Sequence, residues 1–254
     1  MSTDVTRHDG PVPPPPTLSA RSVALSLALG AHPERLGAGQ LVAMGSTVGV
    51  PPATMRVALT RAVAAGDLRR DADATYALGD RLVARQRRQD EAVTDAERAW
   101  DGTWETVVVV VAGRPADERA ALRQELAEHR LAELREGVWM RPANLRRAAS
   151  YAASPVVEAL LARPQGEPAG LVRRLWDLDG WAVRGTAALA DLERAAAPAD
   201  RLAAAAALVR HLATDPLLPT ALLPPGWPAT ALRAAYGAYR TELRHLAPAG
   251  GERG

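Results

Sequence analysis

The sequence contains no cysteine, lysine, isoleucine or phenylalanine among its 254 residues. The absence of cysteine excludes disulfides, thiolate metal sites and a cysteine nucleophile, and it is compatible with a reducing compartment. An Ala/Arg/Pro-rich coding bias would by itself produce many arginines, so their number does not indicate a function. The formal net charge of +2 permits nucleic-acid binding without establishing it. The positions of the arginines must therefore decide whether the chain is predicted to bind nucleic acid.

Long apolar runs are also missing from the sequence. No run reaches the roughly 18 residues that a membrane span requires, and prolines occupy the N-terminal stretch where a signal peptide needs apolar residues. We therefore expect a cytoplasmic protein with no membrane partner. With 48% hydrophobic residues, the chain has enough apolar material for two or three small cores. Residues 1–17 and 248–254 are predicted to be disordered tails.

Residues 18–80 contain the signals of a winged helix-turn-helix domain. Ser19 is placed to cap a first helix that Gly30 ends, and Pro51 and Pro52 are placed to open the third helix. The predicted elements are helices over residues 20–29, 38–43 and 53–65, a turn over residues 45–52, and strands over residues 68–70 and 75–78. Three helices followed by a β-hairpin are the element order of a winged domain.

Beyond this domain, a charged connecting helix over residues 81–99 leads to a predicted α+β domain of ferredoxin-like type, residues 100–178. The β-branched run at residues 107–111 indicates a strand buried on both faces. The further predicted elements are helices over residues 116–132 and 169–176 and strands over residues 136–140 and 156–161. Helical spacing with a proline-rich bend at residues 215–228 then predicts a helical domain over residues 179–247. The fold class is therefore α+β.

The third helix is the candidate DNA-recognition helix. Its apolar residues fall on one stripe, which leaves the opposite face to Thr54, Arg56, Val57, Thr60 and Arg61. Arginine offers paired donors to guanine or to a phosphate, and threonine offers a hydroxyl and a methyl group. The alternative is an ordinary solvated helix face. The turn before the helix and the hairpin after it favour DNA binding.

Three further residues flank this helix. Thr47 lies in the preceding turn, and Arg69 and Arg70 begin the predicted wing, where cations contact the phosphates beside the groove. Such contacts position a protein on the duplex and carry no sequence information. The alternative for the two arginines is the charge that protects edge strands from unwanted pairing.

Four segments of the chain resemble the PaaX family, the repressors of phenylacetic acid degradation. They are residues 55–61 (MRVALTR) with 66–68 (GDL), residues 100–104 (WDGTW), residues 137–142 (GVWMRP), and residues 215–228 with their DPLLP, LLP and WP motifs. We expect the last segment, a proline-stiffened corner, to be architectural rather than reactive. The sequence departs from the family's pattern at Asp67, where a tryptophan is usual, and at Ala206, where relatives have a histidine.

The resemblance implies a winged helix-turn-helix, a central Cas2-like domain of ferredoxin-like type and a C-terminal helical domain. It also implies a homodimeric repressor of an aromatic-acid catabolic operon. Such a repressor binds double-stranded operator DNA and is released by a CoA thioester, for which phenylacetyl-CoA is the example. No other cofactor is expected. The alternative is a constitutive DNA-binding protein of the same fold with no small-molecule effector.

A CoA thioester requires cations for its phosphates and an apolar or aromatic slot for its acyl group. The residues in the C-terminal half that meet these requirements are Arg173, Arg174, Trp176, Trp181, Arg184 and Arg210. The alternative is that the tryptophans are core residues and that the arginines are solvated.

The sequence does not favour an enzyme. His129, His211 and His245 lie apart from any serine or cysteine motif, and neither a His-Glu-x-x-His motif nor a glycine-rich phosphate loop occurs. Nucleases with the Cas2-like fold have an aspartate at the end of the first strand, where residues 111–113 of this chain are Val-Ala-Gly. We expect neither catalytic residues nor a metal site.

Overall fold

A computed structural model of the chain describes residues 18–83 and 99–246. Its helices are α1 (Ala20–Ala31), α2 (Ala38–Thr47), α3 (Pro52–Ala64), α4 (Ala116–Glu128), α5 (Pro168–Leu175), α6 (Leu178–Arg194), α7 (Pro198–Leu212) and α8 (Ala229–Leu246). Its strands are β1 (Leu36–Gly37), β2 (Leu68–Arg70), β3 (Thr75–Leu78), β4 (Trp104–Val109), β5 (Ala132–Arg135), β6 (Val138–Pro142) and β7 (Val157–Ala162). The two predicted tails and most of the predicted connecting helix lie outside the described residues.

The N-terminal part has the predicted winged helix-turn-helix arrangement. Helices α1, α2 and α3 precede the hairpin β2–β3, whose two strands have the predicted bounds. Ser19 caps α1, because its Oγ accepts a hydrogen bond from the backbone N–H of Ser22 at 3.1 Å. Strand β1 was not predicted, since two residues give no periodic signal; it pairs with β3 and places Leu36 opposite Tyr76.

Two predicted boundaries in this domain are wrong. Gly30 does not end α1 but lies inside its last turn, where a Cβ atom would come within 2.4 Å of Leu243 Cδ2. Close packing against α8, rather than helix termination, explains this glycine. The turn predicted from residue 45 begins only after Thr47, because Gly45 lies inside α2 and faces the side chain of Met55.

The central part has ferredoxin-like topology. Strands β4 to β7 form an antiparallel sheet in the order β5-β6-β4-β7, which is the strand arrangement of the β-α-β-β-α-β fold. Helix α4 lies on one face, where Leu126 packs with Val107 of β4 and Trp139 of β6. A short 3-10 turn, Ser150–Ala153, stands in the place of the second helix.

Three predictions for the central part are corrected by the structure. The valine run is not buried on both faces: Val107 is fully buried, whereas Val110 and Val111 lie beyond the end of β4 and are 58% and 44% exposed. The helix predicted to residue 132 ends at Glu128. The strand predicted over residues 136–140 is the second half of a hairpin, in which Gly137 turns the chain with a φ of 75°.

The first and last parts of the chain share one hydrophobic core. Leu27 of α1 belongs to the same buried cluster as Leu208 of α7 and Leu243 of α8. Arg240 of α8 donates hydrogen bonds to the carbonyl oxygens of Gly30, at 3.1 Å, and His32, which lie at the end of α1. Packing therefore crosses the predicted domain boundaries, and α8 fixes the winged part to the C-terminal helices.

The proline-rich corner joins the central sheet to α8. Leu217 has a φ of 52°, and its carbonyl oxygen accepts hydrogen bonds from Arg141 at 3.0 Å and Asn144 at 3.1 Å. Asp215 is 2% exposed; it accepts from the Leu217 N–H at 3.0 Å and forms an ion pair with Arg233. Complete burial lowers the pKa of Arg141 to about 9. These contacts confirm the architectural interpretation of the corner.

Candidate nucleic-acid interface

One face of α3 is exposed over its whole length. Met55 and Leu59 are 0% and 1% exposed and anchor the opposite face in the core. The exposed side chains include those predicted from the sequence: Thr54, Arg56, Val57, Thr60 and Arg61. Val57 is 50% exposed, and an apolar side chain at such a position is suited to contact a thymine methyl group.

The two arginines of α3 are available for an external ligand. Within residues 18–83 and 99–246, neither Arg56 nor Arg61 forms an ion pair or a side-chain hydrogen bond. Thr60 donates from its Oγ1 to the carbonyl oxygen of Arg56 at 3.1 Å. Because no internal pair has to be broken, both guanidinium groups can contact phosphate or guanine without such a cost.

The start of α3 and the end of α2 offer different groups to a DNA phosphate. Pro51 precedes α3 and no side chain caps it, so the backbone N–H groups of its first turn, beside Thr54, are open to a phosphate. Thr47, at the end of α2, donates its hydroxyl proton to the carbonyl oxygen of Met44 at 2.7 Å. The hydroxyl of Thr47 is therefore satisfied within the helix, and Thr54 is the better placed of the two threonines.

The two arginines of the wing point to opposite faces of the hairpin, as neighbours in a strand do. Arg69 forms ion pairs with Asp71 at 3.3 Å and Asp80 at 3.5 Å. Arg70 lies opposite Tyr76 and lines the cavity beside α3. The structure thus turns Arg69 toward two carboxylates and leaves Arg70 as the candidate phosphate contact.

The tip of the wing is acidic. Asp71 also pairs with Arg35 at 2.6 Å, and Asp73 accepts hydrogen bonds from the Thr75 side chain at 2.7 Å and the Thr75 N–H at 3.2 Å. These hydrogen bonds stabilise the charged form of Asp73 and lower its pKa. A carboxylate at the tip repels phosphate, which favours DNA contact through α3 and Arg70 rather than through the wing tip.

Sequence reasoning missed a cavity of about 480 Å³ beside α3. Residues of α2, including Val42 and Ala43, form one wall, and Leu59 and Tyr76 form part of the rest. Arg56, Thr60 and Arg70 also line this cavity, which we call the α2–α3 groove. Alanine, valine and leucine at helical spacing predict core positions, so no sequence signal indicated a groove here.

Trp181 is not an open slot for an acyl group. Its ring stacks between His211, with centroids 4.3 Å apart, and Trp227, with centroids 4.4 Å apart. Its Nε1 donates to the Thr214 hydroxyl at 3.0 Å, and the side chain belongs to the shared core. Both faces of this ring are occupied. Trp181 is therefore a core residue, which is the alternative that the sequence left open. Trp176 likewise packs against the cluster around Trp104.

The predicted ligand-binding arginines are dispersed over three helices. Arg184 of α6 forms an ion pair with Asp177 at 3.3 Å. Arg173 and Arg174 lie in the last turn of α5, and Arg210 lies in the last turn of α7, all three exposed. The side chains that stack on Trp181 are His211 and Trp227, and none of these four arginines stacks on it within the described residues.

His129 is closer to a serine than the sequence suggested. Its Nε2 lies 3.0 Å from the Ser150 Oγ, while Arg147 Nη1 lies 3.1 Å from Nδ1. A guanidinium group only donates, so Nδ1 accepts, and the neutral ring must hold its proton on Nε2. That nitrogen then donates to Ser150, the reverse of what a general base needs. The pair is therefore not an activated nucleophile.

Sequence profiles of one family match three successive parts of the chain. The profile described as PaaX-like protein matches residues 19–82, that of the PaaX protein central Cas2-like domain matches residues 97–163, and that of the PaaX-like protein C-terminal domain matches residues 182–250. The chain belongs to the PaaX family. At the level of this family, it is a DNA-binding regulator of phenylacetic acid catabolism.

A solved relative shares the fold of this PaaX family member. The uncharacterized protein Rv0674 from Mycobacterium tuberculosis is 48% identical, with 90% of this chain and 97% of that chain covered and a TM-score of 0.77. None of the curated proteins matches the chain. Among residues 18–83 and 99–246, no helix is long and apolar enough to cross a membrane, and no three side chains of metal-ligating type are grouped.

Proposed function

We propose that this PaaX family regulator is a homodimeric repressor of an aromatic-acid catabolic operon, released from its operator by an aryl-CoA thioester such as phenylacetyl-CoA. The exposed face of α3, with the guanidinium groups of Arg56 and Arg61 unpaired within the described residues, supports the DNA-binding step most directly. The family membership supports regulation of aromatic-acid catabolism.

A dimer fits the way that recognition helices bind DNA. Two copies of α3 related by a two-fold axis would enter successive major grooves, about 34 Å apart, at a palindromic operator. The uncovered apolar side chains of the central sheet support this part of the proposal. Leu160 and Leu161 of the edge strand β7 are 49% and 72% exposed, and β7 pairs on one side only within the described residues.

We predict that Leu161→Glu converts the dimer into a monomer, because a carboxylate at this position would be buried without a partner in the interface. Sedimentation velocity at micromolar concentration measures the change. Val183→Glu is the matched control, since Val183 is 71% exposed and lies on α6 rather than on the sheet. A Leu161→Glu protein that still sediments as a dimer would place the interface elsewhere.

The shared core supports transmission between an effector and α3. Helix α8 packs on the C-terminal helices and on α1, through Leu243 against Gly30 and through the hydrogen bonds of Arg240. A ligand that shifts α8 would thereby move α1 and the winged part as one body. An allosteric effector must make different contacts in the DNA-bound state and in the released state, and a shift of α8 would provide this difference.

Operator binding by the full chain, measured by fluorescence anisotropy with DNA from upstream of its gene, tests the function. We expect phenylacetyl-CoA to weaken binding and free CoA to leave it unchanged. The second candidate, a constitutive DNA-binding protein of the same fold, is favoured by the occupied faces of Trp181. It predicts the same operator affinity with either compound.

A further inference from the structure

We propose that the α2–α3 groove binds an organic anion with a flat apolar body, an aryl carboxylate or its CoA thioester, and that this ligand competes directly with DNA. The inference rests on the proposed function, since it names the site at which the effector acts. It places the effector on residues that also belong to the DNA-binding surface, as the alternative to transmission through α8.

The size and the walls of the groove suit an apolar body. Its volume of about 480 Å³ lies within the range of roughly 300–1,000 Å³ that is usual for small-molecule sites. Val42 and Ala43 of α2 and the side chains of Leu59 and Tyr76 all line the groove. A sugar-phosphate backbone gains little from such walls, whereas an aryl group is removed from water by them.

The charges that line the groove suit an anion. Arg56 of α3 and Arg70 of β2 both line it, and neither forms an ion pair within residues 18–83 and 99–246. Each guanidinium group brings a positive charge to the groove lining, and a carboxylate or phosphate there can accept paired hydrogen bonds from it. The Thr60 side chain lies in the same lining.

Because of the position of the groove, the ligand and DNA cannot be bound at the same time. Arg56 and Thr60 line the groove and also belong to the exposed face of α3 that we assign to DNA. A ligand anion held by Arg56 and Arg70 would neutralise two cations of that face and occupy space beside the helix. Operator release then needs no change in the distance between the two recognition helices.

The test measures ligand binding to the full chain by isothermal titration calorimetry, with phenylacetate, phenylacetyl-CoA and CoA alone as separate probes. We expect binding of at least one aryl compound and at least tenfold weaker binding of CoA alone. Ala43→Trp fills the groove without removing a cation and is expected to weaken aryl binding at least tenfold. Ala187→Trp, at an exposed position on α6, is the matched control and is expected to bind as the unaltered chain does.

A second variant guards against a folding defect. Arg70→Gln removes the charge but keeps a polar side chain on β2, and it is expected to weaken aryl binding at least tenfold, with an unchanged circular dichroism spectrum. With the unaltered chain, the apparent operator Kd should rise in proportion to ligand concentration and reach no plateau, because no complex of all three components forms. An allosteric effector gives a plateau.

The outcomes separate this inference from the proposed function. Aryl binding that Ala43→Trp and Arg70→Gln leave intact, but that Arg210→Ala or Arg173→Ala abolishes, overturns the groove while the effector proposal stands. A plateau in the competition curve also overturns the groove as a shared site. Failure of every aryl probe to bind overturns both the groove and the effector. The DNA-binding part of the proposed function is tested separately, by operator binding of the chain without any ligand.

Discussion

Replacement of Arg56 or Arg61 by alanine is expected to weaken operator binding by about 1–3 kcal/mol each while the protein remains folded. Both side chains are exposed on α3 and have no ion pair within the described residues, so truncation removes no internal contact. A guanidinium group bound to guanine through two hydrogen bonds gives discrimination as well as affinity. Fluorescence anisotropy with operator and scrambled duplexes measures both quantities.

The wing provides the matched control for these variants. Arg69→Ala also removes an exposed cation, but one that is paired with Asp71 and Asp80, and should change operator affinity much less. Arg70→Ala should weaken binding to all sequences alike and reduce the slope of affinity against salt by about one, as expected for a phosphate contact. Equal losses for Arg69→Ala and Arg61→Ala would mean that net charge alone drives binding.

Asp215→Ala is expected to lower the free energy of unfolding by about 2–4 kcal/mol. The carboxylate is 2% exposed, accepts from the Leu217 N–H at 3.0 Å and pairs with Arg233. Its loss leaves the part-buried N–H group of Leu217 without an acceptor, and it leaves a guanidinium group that is 29% exposed without its partner. The expected cost lies below that of a fully buried pair, because water reaches Arg233.

Asp191→Ala is the control for this stability measurement. Asp191 also pairs with an arginine, Arg194 at 2.6 Å, but the two side chains are 59% and 66% exposed. Such a surface pair contributes about 0–1 kcal/mol. Urea denaturation followed by tryptophan fluorescence compares the two variants. If they shift the midpoint equally, the proline-rich corner does not hold the central sheet to α8.

The winged part could be predicted because its signals are local. Ser19 lies where it caps α1, and the strands of the hairpin follow the alternation in residues 68–70 and 75–78. The face of α3 follows from its apolar stripe alone, since Met55 and Leu59 must enter the core. Each of these features depends on residues within a few positions of one another.

The features that the sequence did not predict depend on contacts between distant segments. Gly30 has the pattern of a helix end, but its role is set by Leu243, more than 200 positions away along the chain. The two arginines of the wing look alike in sequence, and only strand alternation with nearby carboxylates separates Arg69 from Arg70. Trp181 could not be distinguished from an open slot until His211 and Trp227 were placed on its faces.

Because the chain has no cysteine, a single introduced thiol can position a DNA-cleaving iron chelate on α3. Ala64→Cys, at an exposed position near the end of α3, lies on the recognition face without replacing a predicted contact. We predict two short patches of operator cleavage about one helical turn apart, and none from the same chelate on Ala121→Cys of α4. Cleavage from α4 alone, or no cleavage from α3 in a complex that binds operator, would contradict DNA recognition by α3.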